Sequence, residues 1–318
     1  MVLTRGPRTS GAAPVINALE SRGVSLQVAD LAVGLRSIAV RSDNSALVVH
    51  ADGSSWTICP TTTVFAWHEG LPFFDTEQAD SATHRDYARR AQSSAWAAVL
   101  ASGGTWINSS LSKRGIGGDK VLQQRLARQA GLTVIPTLLT DSIESFVEYV
   151  EGLAVEYVAL KSVIPWQDWT ASTPNPRATY TRRLSKPQAL ELAHLVPIAP
   201  VYVQPYVDKA FEVRAYVIGE RVLACSIDSQ ASEKTRIDWR HYDLAKVRHD
   251  AYELPDEVER ALVALVSGCG LIYAAIDLIV EPSGTHRFVE LNPSGHYGWI
   301  EELAALPITS YLVDELLS

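Results

Sequence analysis

Cysteine is scarce in this chain: Cys59, Cys225 and Cys269 are the three among 318 residues. Their spacing fits neither a disulfide framework nor a thiolate zinc site. Long apolar runs are also missing. A bilayer crossing takes about 20 consecutive apolar residues, so no membrane partner is expected. Positive charge is in deficit, with 28 Lys plus Arg against 36 Asp plus Glu and a formal charge of -8. Non-specific attraction to nucleic acid or to an anionic membrane needs a basic surface, so nucleic acid is not an expected partner either. The opening MVLTRGPRTSG carries no apolar stretch of the secretory type. The eight histidines show no HxxxH spacing, and no GxSxG or Cys–His arrangement for covalent catalysis stands out. What is present is a 47% hydrophobic composition, ample for a buried core. At about 150 residues per domain, the length predicts two or three compact units. The expectation is an acidic, cytoplasmic α/β protein.

Residues 1–112 read as a first, α/β unit. It has a short apolar start, an Ala-rich segment at 12–20 and a strand-like piece at 24–28. The β-rich pieces 38–40 and 46–49 follow, then a Pro-bounded loop near Leu71-Pro72 and a helix over 81–101. The run Lys113-Arg114-Gly115-Ile116-Gly117-Gly118-Asp119-Lys120 marks a break. It fails the P-loop pattern GxxxxGK[ST], because Val121 follows the lysine. A second unit, 113–200, starts there. It has a helix over 119–130 closed by Gly131, a strand near Val134, another over 156–162 and a short helix over 187–195. Between the last two, residues 166–181 contain Ser172-Thr173-Pro174-Asn175-Pro176 and read as a mobile loop. In the third unit, 201–318, a strand over 201–207 runs into a turn. Phe211, Val213, Ala215 and Val217 then alternate with Glu212, Arg214 and Tyr216, which predicts a half-buried strand. Gly219-Glu220 turns it back through 221–227. Val258, Ala261, Leu262, Leu265 and Val266 give an amphipathic helix over 255–268. Strands over 272–280 and 286–292 meet at Pro282-Ser283-Gly284. Hairpins packed with helices predict α+β character in this unit.

Asp277 interrupts the apolar strand Ile272-Tyr273-Ala274-Ala275-Ile276-Asp277-Leu278-Ile279-Val280. An ionised carboxylate there is costly unless a cation or hydrogen-bond donors compensate it. On the next strand Glu290 and Asn292 share a face, since side chains alternate. If the two strands pair about 282–284, three oxygen-bearing groups converge. Two carboxylates and an amide oxygen are hard ligands suited to Mg2+. A hydrogen-bond network at the end of a sheet accounts for the same residues. Lys161 ends a buried-looking strand and Lys120 opens a helix; such lysines suit an anionic phosphate group, while a snorkelling lysine explains either one alone. Glu212 and Arg214 share the face opposite the apolar set. Arg214 can grip a phosphate or carboxylate with its fork, and a cross-strand ion pair competes with that reading. Asp238-Trp239-Arg240-His241-Tyr242 forms a polar-aromatic cluster that also reads as an exposed loop.

Taken in chain order, these residues resemble an ATP-grasp ligase over roughly residues 105–318. The order runs Lys120, Lys161 before a loop, Gln204-Pro205-Tyr206-Val207, Glu212-Val213-Arg214, then Asp277 and Glu290-Leu291-Asn292-Pro293. Within that superfamily the chain is most similar to the graspetide synthetases, the microviridin-type maturases of ribosomal peptides, which are RimK-like in fold. The matching pieces are Trp106-Ile107-Asn108, Lys120-Val121-Leu122-Gln123 and Thr133-Val134-Ile135-Pro136-Thr137-Leu138. Further on come Ser229-Gln230 before Asp238-Trp239-Arg240, and Asn292-Pro293-Ser294-Gly295-His296-Tyr297-Gly298-Trp299-Ile300-Glu301 leading to Leu306-Pro307-Ile308-Thr309. Two places depart from the pattern. Phe65-Ala66-Trp67-His68 stands where Arg-Arg-Pro is usual, and His296-Tyr297 where Gln-Trp is usual; both bear on the substrate more than on ATP chemistry.

The resemblance implies an ATP-grasp fold, α/β and α+β, with a pre-ATP-grasp domain, a central lid and a C-terminal domain. It implies ATP and Mg2+ as cofactors, with the metal on Asp277, Glu290 and Asn292. Lys120 and Lys161 would neutralise phosphate, Gln204 to Val207 would face adenine and Asp208 the ribose. Glu212 belongs to the same nucleotide site, and Arg214 would stabilise the transferring phosphoryl group. Arg240 with Asp238 would contact the acceptor. The implied reaction joins side chains of a leader-bearing precursor peptide into lactones or lactams through an acyl phosphate, with a homodimer as the working form and the 163–181 loop as a cover. A stand-alone amino-acid or dipeptide ligase of the same fold, or a non-catalytic nucleotide-binding protein, are the alternatives.

Overall fold

The computed structural model describes residues 1–4, 11–67, 80–108, 113, 115–163 and 180–318. The loop near Leu71-Pro72, His68, and residues 164–179 of the expected mobile loop lie outside these. Two sheets frame a cleft. The larger has six strands in the order His249–Tyr252, Arg221–Ile227, Phe211–Ile218, Tyr273–Val280, His286–Asn292 and Thr133–Val134. Its hairpins turn where the glycine signals place them, with Gly219 at φ 60° and Gly284 at φ 86°, a left-handed backbone that other residues adopt at a cost.

The strand Phe211–Ile218 corrects one expectation, for it is buried on both faces and not half-buried. The cause lies in what covers the sheet. Val213, Ala215 and Val217 pack with Leu262, Leu265 and Val266 of the helix Asp256–Gly268. Tyr216 and Ile218 pack with Ile308, Leu312 and Val313 of the helix Ile308–Leu317. Alternation therefore separates two cores here instead of core from solvent, and the charged residues on this strand need partners.

The hairpin register sets Asp277 directly opposite Glu290, and Ala275 opposite Asn292. Because facing residues in an antiparallel pair share a side of the sheet, the three oxygen-bearing side chains project together, as the alternation predicts. Between Asp277 and Leu278 the register shifts, so that Leu278 pairs with Phe288 and Val289 is the extra residue of a bulge. Two glutamines absorb the irregularity. Gln124 donates to the carbonyls of Phe288 and Val289, both at 3.3 Å, and accepts from the Ile135 amide. Gln123 donates to Leu291 O and accepts from Leu291 N, each at 3.0 Å. These bonds rivet the helix Lys120–Gln129 to the strand that carries Glu290. Asp119 caps that helix by accepting from Leu122 N at 2.9 Å, and Gly131 beyond its end has φ 96°.

The second sheet has the order Arg182–Ser185, Tyr157–Ser162, Val201–Pro205, Leu138–Thr140. Phe146 and Val150 of the helix Ile143–Gly152, with Ala189, Ala193 and Val196, cover it. Sheet pairing crosses the division expected at 200/201. Val201–Pro205 pairs with Tyr157–Ser162, Ala159 opposite Gln204, and so belongs to the central sheet. Thr133–Val134 pairs with His286–Asn292 and belongs to the C-terminal one. The Gly- and Pro-rich breaks mark turns in the chain, whereas backbone hydrogen bonding decides sheet membership.

The N-terminal part holds a parallel sheet, Val28–Asp30, Val2–Thr4, Thr63–Trp67 and Thr105–Ile107, beside an antiparallel one formed by Leu35–Val40, Ala46–His50 and Ser55–Ile58. The strand-like piece at 24–28 starts only at Val28. Phe65, Trp67 and Ile107 enter the same core as Tyr216, Tyr273 and Tyr297. Buried Asn108 joins the two parts. Its amide donates to the carbonyls of Tyr273 and Pro293, and its oxygen accepts from Ile272 N and Tyr273 N at 2.9 and 3.0 Å. Among the described residues no helix is long and apolar enough to cross a membrane.

Asn108→Ala strands several buried backbone groups at that junction. Since an unsatisfied buried group costs roughly 1–3 kcal/mol, the variant is expected to lose about 3 kcal/mol or more in urea unfolding. A loss below about 1 kcal/mol would show that the junction does not depend on this side chain.

Candidate functional site

The cleft between the two sheets encloses a cavity of about 580 Å³. The six-stranded sheet contributes Glu212, Arg214, Asp277, Glu290 and Asn292 to its wall. The central sheet contributes Lys161 and the stretch Gln204, Pro205, Tyr206 and Val207. Lys120 enters from its helix, and Asp238 and Arg240 from the segment before the edge strand. The structure thus brings together every residue singled out from the sequence except Asp208, which is exposed and does not line the cavity.

Charges in the cleft are paired almost throughout. Arg214 meets Asp277 at 2.8 Å and Lys120 meets Glu290 at 2.8 Å. Arg240 grips Asp238 through Nε at 2.8 Å and through Nη2, and Lys209 bonds Glu212. Burial raises the Asp277 carboxyl; Arg214 offsets this in part, while neighbouring Glu290 adds to the rise. Burial acts on Glu290 as well, but Lys120, with Arg240 and Lys161 farther off, outweighs it and holds that carboxyl below its usual range. For Asp238, burial is outweighed by Arg240 and the Thr181 amide, and its carboxyl sits at about 2. Lys161 is the exception to the pairing. Among the described residues its ammonium has no hydrogen bond or ion pair, and burial together with the nearby Lys120 cation lowers it to about 8.

Arg214 is the most constrained of these groups. Nε donates to Tyr216 Oη at 3.0 Å, and the guanidinium lies over Trp239, 5.4 Å from its ring centre. Tyr216 Oη in turn donates to the His296 carbonyl at 3.0 Å. The loop that supplies this carbonyl fits because of Gly295, where a Cβ would fall 2.3 Å from Ala275 Cβ and 2.9 Å from Arg214 Nη2.

Asp277, Glu290 and Asn292 fit a divalent cation. Arg214 takes only Oδ1 of Asp277 and Lys120 only Oε2 of Glu290, so among the described residues Oδ2, Oε1 and the Asn292 amide remain without hydrogen-bond partners. Hard oxygen donors of mixed charge suit Mg2+. Among the described residues no cluster of three or more His, Cys, Asp or Glu has metal-binding geometry; this set has two carboxylates and an amide. Away from the charges, Ile135, Ala159, Ile279 and Val289 line the wall, which leaves an apolar slot beside a polar end. Gln204 Nε2 donates to Thr137 Oγ1 at 2.7 Å, which fixes this buried side chain beside the cleft.

Sequence reasoning missed Lys209 and the part that Thr181 plays, and named Trp239, Tyr242 and Trp299 without placing them together. Lys209, whose side chain is 4% exposed, also donates to Ile237 O at 3.1 Å; its position three residues before buried Glu212 was the available signal. Trp239, Trp299 and Tyr242 form an aromatic corner, with Trp239 and Trp299 stacked 5.3 Å apart. Tyr242 has φ 37°, an uncommon backbone for a bulky residue and one found where a site over-determines the chain. Asp238 also accepts from Thr181 N at 3.1 Å, joining the two walls.

This architecture defines a class, the ATP-grasp fold. Solved structures that share it across 99% of the chain include a RiPP-associated ATP-grasp ligase of Chryseobacterium gregarium in complex with ADP and a leader and core peptide, with TM-score 0.84, 19% identity and 95% of that chain covered. The macrocyclase MdnC of Microcystis aeruginosa MRC, bound with precursor peptide MdnA, gives TM-score 0.80 and 21% identity over 98% of its length. The ATP-grasp ligase PsnB, complexed with a phosphomimetic variant of a minimal precursor, Mg and ADP, gives 0.75 and 24% over 97%. A curated relative, the tetrahydromethanopterin:alpha-L-glutamate ligase of Methanococcus maripaludis, is 24% identical over 122 residues, 37% of this chain and 39% of the relative. No protein-family profile matches the chain.

Lys161 carries a testable consequence. Its folded value, about 8, lies below the ordinary 10.5. The unfolded chain therefore binds more protons between those values, and stability rises with pH across that window. Lys161→Met is expected to raise Tm at pH 7 and to flatten the rise between pH 8 and 10. A variant less stable than the unaltered chain would refute the strained-cation account.

Proposed function

We propose that this chain is an ATP-dependent ligase that activates a side-chain carboxylate of a ribosomal precursor peptide as an acyl phosphate and joins it to a hydroxyl or amine, closing a lactone or lactam. The observation that carries the reading is the convergence of Asp277, Glu290 and Asn292 with Lys120 and Lys161 on one cavity. The likeness to peptide-bound ATP-grasp ligases supports a peptide, rather than a free amino acid, as the substrate.

Each group has a task that its surroundings prepare. Asp277, Glu290 and Asn292 would hold Mg2+, which when bound would offset the charge of the phosphates. Lys161 has no anion of its own and meets the triphosphate, while Lys120 swings between Glu290 and phosphate. The apolar slot of Ile135, Ala159 and Ile279 takes adenine, with the backbone from Gln204 to Val207 along its edge. Arg214, locked by Asp277 and Tyr216, faces the phosphoryl group as charge develops on it, a matter of positioning and electrostatics with no protein nucleophile. The peptide carboxylate attacks the γ-phosphorus, ADP leaves, and the acceptor then displaces phosphate from the acyl carbon. Arg240, fixed by Asp238, borders the end of the cavity where the peptide enters. Asp238 itself is a positioning residue, since its oxygens are already committed to Arg240 and Thr181.

Co-expression with the product of a small flanking open reading frame, read by mass spectrometry, is expected to give successive losses of water. Glu290→Gln is expected to lower that conversion at least about 100-fold, and Lys161→Ala to lose most nucleotide affinity in calorimetry. Full conversion by Glu290→Gln would remove the metal assignment, and unchanged ATP binding by Lys161→Ala would remove the phosphate assignment.

A further inference from the structure

Closing an ester or amide requires a proton to leave the acceptor. A Ser or Thr hydroxyl, or a Lys ammonium, becomes an effective nucleophile only as that proton is taken up. The cavity offers few groups able to take it. Glu212, Asp238, Asp277 and Glu290 are each bound to a cation. Arginine has no lone pair to offer, and neither has a protonated lysine; Lys161, at about 8, is mostly charged at neutral pH. The aromatic corner offers phenol and indole groups, which are poor bases.

Among the described lining residues, His296 supplies an imidazole, a base by chemical type. It lines the cavity, is exposed, and follows directly on Gly295. Its carbonyl accepts from Tyr216 Oη at 3.0 Å and from Arg214 Nη2 at 3.5 Å, which fixes the residue next to the guanidinium assigned to the transferring phosphoryl group. Its ring packs at 82° against Trp67, 6.0 Å between centres, so the fully buried indole limits how far the imidazole can wander. We propose that His296 is the general base of the second half-reaction, receiving the acceptor's proton on an imidazole nitrogen as the new bond forms. This rests on the ligase reading above. The acceptor oxygen or nitrogen attacks the acyl carbon, the bond from that carbon to the phosphate oxygen breaks, and phosphate departs with the electron pair. The proton then passes from the imidazolium to phosphate or water.

The electrostatics agree with the geometry. Burial, and then Arg214, lower the His296 value from its usual place, so the ring is in its basic form at pH 7. Arg214 acts on the ring from the strand whose Tyr216 bonds the His296 carbonyl, Tyr273 and Tyr297 pack on the same Trp67, and Trp67 itself does not titrate.

The two half-reactions can be read separately. With Mg-ATP, the flanking-frame peptide and hydroxylamine, the acyl phosphate is captured as a hydroxamate whether or not ring closure follows. His296→Gln and His296→Ala are expected to cut ring closure about 100-fold or more, in line with the loss of a general base, while hydroxamate accumulates. Closure by the unaltered chain is expected to fall as pH drops through the His296 titration, and by His296→Gln to lose that limb. Added imidazole is expected to restore part of the closure by His296→Ala. Wild-type closure rates in His296→Gln with an unchanged pH profile would overturn the assignment. So would hydroxamate that falls in step with closure, for then the residue serves binding or structure. No hydroxamate from the unaltered chain would sink the ligase reading itself, and this inference with it.

Discussion

A row of four charges crosses the large sheet, and most of the cleft is arranged around it. Arg214 stands opposite Asp277, Asp277 opposite Glu290, and Lys120 closes the row from the adjoining helix. The two carboxylates in the middle face each other across neighbouring strands, an arrangement that is unfavourable unless something positive intervenes. The flanking cations supply that at the two ends, each through one oxygen. The inner oxygens keep a demand for positive charge, and Asn292, one face-position further along, adds a neutral donor. Electrostatics of this kind select a small hard cation and whatever anion the cation brings with it.

Much of this was legible in the sequence because it depends on local rules. Asp277 in an apolar strand, Glu290 and Asn292 at period two, and a glycine turn between them are enough to place three oxygens together. Lys120 and Lys161 stood out as basic groups beside apolar elements in an acidic chain. What stayed hidden depends on long-range register. Nothing local reveals that Gln123 and Gln124 bond a strand some 165 positions later in the chain, or that a bulge there needs them. The alternation of 211–217 was read as core against solvent, whereas two helices far along the chain cover both faces. Asp208 follows the Gln204–Val207 stretch in sequence, yet the turn carries it outward and Lys209 inward. The resemblance in ordered motifs covered about two thirds of the chain, and the N-terminal part, with short strands and few chemical landmarks, was legible only as α/β.

The cleft also shows how stability is traded for readiness. Four of the described lysine and arginine side chains in its walls, Lys120, Lys209, Arg214 and Arg240, are held by carboxylates, which keeps them in place but engaged. Lys161 alone among the described cationic side chains there has no such partner, and burial works against its charge. A fold tuned only for stability would place an apolar side chain at that position. Keeping a strained cation aimed into a slot bordered by Ile135 and Ala159 makes sense where a highly charged guest with a flat apolar head relieves the strain on arrival. At the edge of the slot Gln204 is buried and its amide is held by Thr137, so its position there is fixed.

Position 295 has a consequence for how such chains can diverge. There the backbone lies so near Ala275 and Arg214 that even a methyl group has no room, although the glycine is not in a left-handed conformation. The obstruction comes from a methyl on a different strand as well as from the guanidinium. Residues 275 and 295 are thus tied: a methyl can appear at one only if the other gives up its own, so substitution would have to pass through a double glycine. Drift along that route would loosen the contact beside Arg214, which makes the pair a steric ratchet against substitution at these two places.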